Sequence, residues 1–63
     1  MDGVNWKGGQ IEVTKETNGG WGITHRTVDN GQYPLDWQRH KVNALRAGRI
    51  YAETRNAKLF VEA

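Results

Sequence analysis

The chain has 63 residues, nine of them basic and seven acidic, for a net charge of +2 and a pI near 9.3. A chain of this length makes one small domain that buries only about 60% of its unfolded surface, which leaves marginal stability and no room for a deeply enclosed active site. Without cysteine or serine, disulfides and thiol or serine nucleophiles are excluded. No apolar run approaches a membrane span and no basic-then-apolar leader opens the chain, so a soluble, cytoplasmic protein is expected.

Residues 1–9 set Val4 and Trp6 among glycines and read as a flexible N-terminal arm, with docking through Trp6 as the alternative. Residues 10–63 form the domain. Gln10 to Lys15 alternates polar and apolar with β-branched residues and reads as a strand. Asn18-Gly19-Gly20 tolerates positive φ, and Trp21 to Val28 alternates again, which gives a hairpin. Side chains alternate along a strand, so Ile11, Val13, Trp21 and Ile23 share the inner face while Glu12, Thr14, Thr24 and Arg26 face outward. Asp29-Asn30-Gly31 is a second turn, and Gln32-Tyr33 a short third strand cut off by Pro34.

Asp36 to Thr54 reads as one helix, with Asp36 as N-cap behind Pro34 and Asn56 closing it in a left-handed turn. Trp37, Lys41, Ala44, Leu45, Gly48, Tyr51 and Ala52 fall on one arc, and all but Lys41 suit a core. Ala44, Gly48 and Ala52 are small, so the helix can lie close to a sheet; that is a reason for a mid-helix Gly, which otherwise costs about 1 kcal/mol against Ala. Arg39, Arg46 and Arg49 lie on the opposite arc. Lys58 to Glu62 is a closing strand with Leu59 and Val61 inward and Phe60 outward. The predicted fold is α+β: a small antiparallel-rich sheet of three or four strands with one helix packed on one face, in the order β-β-(β)-α-β, around Trp37, Leu45, Ile23, Val13, Leu59 and Val61.

Gly19-Gly20-Trp21-Gly22-Ile23, then Ala44-Leu45-Arg46-Ala47-Gly48-Arg49 and Ala57-Lys58-Leu59-Phe60-Val61, resembles an uncharacterised family of small bacterial and phage domains. That family pairs a Gly-Gly-Trp-x-Val strand with an Ala-rich helix and a closing Leu-Val-Val-like strand. The resemblance covers residues 10 to 62, with a longer, Pro-containing interval from Val28 to Trp37, and it implies a fold without an activity. The chain is also similar, more remotely, to the three-strand-plus-helix DNA-binding domains at the N-termini of phage-type integrases. The terminal strand after the helix departs from that pattern.

Catalytic chemistry has little to stand on. His25 and His40 have no Cys, His or carboxylate at ligand spacing, so no metal is expected, and each imidazole reads as solvated or half-packed. The carboxylates are scattered, and Gly19-Gly20-Trp21-Gly22 lacks the Lys-Ser/Thr ending of a phosphate loop. The expectation is a small non-enzymatic binding module, nucleic-acid-binding or regulatory and of phage or bacterial type, with no cofactor. Two faces are candidates for nucleic acid: the outer sheet face with Lys15, Thr24, Arg26, Lys58 and Phe60, and the helix stripe of Arg39, Arg46 and Arg49, extended by Arg55. The alternative is a protein-interaction module or an inhibitor of a host protein, anchored by Trp6, Tyr33 or Phe60, or a homodimer that pairs its edge strand.

Overall fold

The computed structural model describes residues 3–62. Four strands and one helix follow in the order β1 Gln10–Lys15, β2 Trp21–Arg26, β3 Gln32–Gln38, α1 Lys41–Thr54 and β4 Lys58–Val61. They form one mixed sheet, in the spatial order β3-β2-β1-β4, with α1 on one face. The antiparallel steps are β1 with β2 and β2 with β3, and β4 runs parallel to β1. The strands on either side of α1 are therefore the two edges of the sheet. A parallel return of this kind needs a crossover, and the 14-residue α1, about 21 Å long at 1.5 Å per residue, provides it across the inner face.

That crossing creates the core. Ile11, Val13 and Ile23 of the central strands meet Ala44 and Ala52 of α1, all buried, with Trp21, Leu35, Leu45, Tyr51 and Val61 packed around them. The row of small residues works as its spacing implies. A Cβ on Gly48 would stand 2.7 Å from Val13 Cγ2 and 3.4 Å from Leu59 Cδ1, so the helix backbone lies almost directly on β1. Helix α1 closes at Asn56, which adopts φ 51°; Ala57 N–H donates to Ala52 O (2.9 Å) and Asn56 N–H to Glu53 O (3.4 Å), capping the last carbonyls. In the β1–β2 turn, Gly19 and Gly20 take φ 96° and 79°. The ring of Trp37 lies where a Gly20 Cβ would stand.

The helix starts later than the sequence implied. Asp36 is not its N-cap and Trp37 is not a core helical residue: both lie in β3, which pairs with β2 from Gln32 to Gln38 through a bulge that leaves Leu35 opposite no partner. Pro34 does not end the strand, because an edge strand tolerates a missing N–H. His40 takes the N-cap position without a side-chain hydrogen bond, while Asp36 accepts from Trp37 N–H (2.7 Å) and Gln38 Nε2 (3.1 Å). Trp37 is 50% exposed and Leu59 38% exposed, so neither is core. Ile23 and Val13 are buried, and Leu45 and Val61 pack at the margin.

His25 also departs from its expected solvated or half-packed state. It belongs to the inner-facing set of β2 and is fully buried, not solvated. Its Nε2 lies 2.9 Å from Gly8 O and its Nδ1 3.0 Å from Arg55 Nη1. A carbonyl only accepts and a guanidinium only donates, so the neutral Nε2–H tautomer is the one that satisfies both. The segment before β1 is tied to this point. Trp6 packs against Tyr33 and His25 at 5.0 and 5.6 Å between ring centroids, and the Arg55 guanidinium lies 4.7 Å from the Trp6 ring and 5.3 Å from that of Tyr51. Gly8 N–H also donates to Arg55 O at 2.7 Å. Trp6 and Gly8 thus pack on the end of the inner face that α1 leaves open.

Candidate functional site

Helix α1 buries Ala44, Gly48 and Ala52, so the opposite arc faces solvent by geometry. That arc carries Val42, Arg46, Arg49 and Ile50, with Val42 61% and Ile50 56% exposed. Residues three and four apart on a helix are neighbours, which makes these four a continuous ridge. Glu53 follows Arg49 at the next turn, yet among the described residues the sole ion pair is Arg26 Nε with Glu12 Oε2 at 2.8 Å. Arg46 and Arg49 have no acidic partner within that set.

The segment from Arg39 to Arg55 holds five of the nine basic residues and one of the seven acidic ones. The rest of the chain is left with four basic against six acidic residues, so the modest net charge conceals a separation of sign. Not all five cations are free to act. Lys41 Nζ sits 4.9 Å from the Trp21 ring centroid, and Arg55 is held among Trp6, Tyr51 and His25. Arg39 is not on the helix: it occupies the bend between β3 and α1, where it lines a shallow pocket of about 220 Å³ with Asn18, Gly19, Gly20 and Trp37. A second pocket, about 340 Å³ and open, lies between Trp6, Lys7, Thr54 and Arg55.

The outer sheet face is organised differently. Strand registers set Pro34, Thr24, Glu12 and Phe60 in one row across the sheet, and Gln32, Arg26, Gln10 and Lys58 in the next. Arg26 is spent on Glu12, whose Oε2 also accepts from Gln10 Nε2 at 2.9 Å. The Glu16 carboxylate covers Gly22 on the same face. Lys15 does not belong here: by parity it shares the side of Ile11 and Val13, at the end of β1 opposite Trp21. The cations and acids of the outer face roughly balance, and Phe60, 50% exposed, is its aromatic at the β4 edge. Of the three rings considered as anchors for a protein partner, Trp6 and Tyr33 pack on each other and Phe60 remains open to solvent.

Asp29 has its carboxyl held below the usual range, chiefly by the hydrogen bond from the Thr27 hydroxyl, with desolvation opposing; this is turn chemistry of the β2–β3 connection. Among the described residues no group of three or more His, Cys, Asp and Glu could hold a metal, and no helix is long and apolar enough to cross a membrane. Val42 and Ile50 escaped the sequence reading, although their i, i+4, i+8 spacing with Arg46 places them on the cationic arc. No family model, curated protein or solved structure matches the chain.

Proposed function

We propose that the protein is a small non-enzymatic module that binds nucleic acid through the outer face of α1, with Arg46 and Arg49 on phosphates and Arg39 at the rim. The observation that carries this reading is the separation of charge: the helical segment concentrates the basic residues and leaves Arg46 and Arg49 without acidic partners among the described residues. Phosphates supply that partner, and a helix ridge of about this width enters a major groove. Val42 and Ile50 flank the arginines and offer apolar contact to base edges or sugars. The outer sheet face contributes less, because Arg26 is already neutralised by Glu12.

Titration of labelled random duplex and single-stranded DNA at two salt concentrations tests the reading. Each neutralised phosphate contributes about 0.9 to the log-log salt slope on duplex DNA, so Arg46→Ala with Arg49→Ala should lower affinity across all sequences and reduce the slope by about 2. Binding that ignores salt, or that survives the double substitution, overturns it. A protein partner is the second reading; its support is Phe60, a large ring exposed at a sheet edge.

A further inference from the structure

Strand β4 is an open edge with a marked pattern. Lys58 N–H donates to Gly9 O (3.0 Å) and Glu62 N–H to Val13 O (2.9 Å). In a parallel ladder alternate residues point to the neighbour, so positions 58, 60 and 62 are satisfied by β1, while the backbone groups of Leu59 and Val61 point away from the sheet. No described strand pairs with that side. The Leu59 side chain, on the inner face, and that of Phe60, on the outer face, are 38% and 50% exposed. An apolar edge with free N–H and C=O groups is a template for another strand.

The order of residues says which strand fits. In an antiparallel pairing of β4 with itself about a two-fold axis at Phe60, Lys58 lies opposite Glu62 of the second copy, Leu59 opposite its Val61, and Phe60 opposite its Phe60. Leu59 and Val61 are the residues whose backbone points outward, and they fall at the hydrogen-bonded pairs. Phe60 falls at the non-hydrogen-bonded pair, where side chains come closest. The outer face then carries an aromatic pair between two opposite-charge pairs, and the inner face two Leu–Val pairs that extend the core. Glu62 keeps its present role: its Oε1 accepts from Lys15 N–H at 3.0 Å, and its other oxygen accepts nothing among the described residues.

We infer that Lys58-Leu59-Phe60-Val61-Glu62 is a self-complementary dimerisation edge, and that a second copy of this chain completes the sheet across it. The axis stands perpendicular to the sheet, so both helices and their arginine ridges lie on the same side of the dimer. The contact is small. A five-residue edge covers less than the roughly 800 Å² per partner of a standard interface, so association is expected in the range of about 10 µM to 1 mM.

Sedimentation equilibrium of the 63-residue chain, without nucleic acid and over that range, should show a monomer and dimer in exchange. Lys58→Glu sets a carboxylate opposite a carboxylate, and Glu62→Lys sets an ammonium opposite an ammonium; each alone should weaken the dimer about tenfold or more, as two cross-strand pairs turn from attractive to repulsive. An equimolar mixture of the two variants should associate again, because the carboxylate introduced at position 58 of one chain then faces the ammonium introduced at position 62 of the other, and no misfolded chain would be rescued by mixing. A monomer throughout the range overturns the proposal, as does a dimer that neither variant weakens or a mixture that fails to recover. These outcomes are independent of whether the protein binds nucleic acid.

Discussion

Replacing Gly48 by Ala sets two effects against each other, and the structure decides the sign. On helix propensity alone the change stabilises by about 1 kcal/mol. The new methyl, however, would stand 2.7 Å from Val13 Cγ2, more than half an ångström inside ordinary carbon contact of about 3.5 Å or more. Leu59 can yield, since it is partly exposed. Val13 cannot: it is fully buried on a central strand between β2 and β4, and a β-branched side chain has few rotamers to retreat into. Overpacking of this kind costs about 1–3 kcal/mol, so Gly48→Ala should destabilise by up to about 2 kcal/mol net. For a domain of this size that is a fall of about 4–8 °C in Tm per kcal/mol. Thermal melts followed by circular dichroism would measure it, with Val13→Ala as the second arm. In the Val13→Ala background the obstructing Cγ2 is gone, and Gly48→Ala should become stabilising by up to about 1 kcal/mol. A rise in Tm from Gly48→Ala in the unmodified chain, or no change of sign when Val13 is shortened, would refute the close approach of α1 to β1.

Other substitutions probe the remaining parts. His25→Leu leaves Gly8 O without its donor and Arg55 Nη1 without its acceptor, and should cost about 1–3 kcal/mol by urea denaturation; replacing a solvated histidine would cost almost nothing. Trp37→Ala should cost about 1 kcal/mol, since the half-exposed ring lies over the Gly19-Gly20 turn and makes one exposed hydrogen bond there, Nε1–H to Gly19 O at 3.3 Å, whereas Ile11→Ala should cost about 2–5 kcal/mol as a core truncation. If Trp37→Ala proves the more damaging of the two, the placement of Trp37 on an edge strand is wrong.

Elements whose signals are local were legible along the chain. The Ile11/Val13 and Trp21/Ile23 alternation with Asn18-Gly19-Gly20 between them specified the hairpin, the Ala44/Gly48/Ala52 row specified the buried side of the helix, and Asn56 specified its end. Each follows from the strand or helix period, or from a residue that accepts positive φ. The alternation of Leu59, Phe60 and Val61 likewise set which face of β4 each would take.

Where the helix begins, and what the polar residues do, was settled by contacts between distant segments. Pro34 and Asp36 form a sound N-terminal signal on local grounds, but the backbone of Gln32–Gln38 pairs with β2, and that pairing draws Trp37 into an edge strand. His25 looked solvated because its partners, Gly8 and Arg55, stand 17 residues before it and 30 after it. Arg26 could not be known as neutralised until the β1–β2 register set it beside Glu12. Local propensity depends on neighbours along the chain, whereas burial, ion pairing and the choice between strand and helix at Trp37 depend on contacts across it, and those exist only once β3, β2, β1 and β4 have been laid side by side.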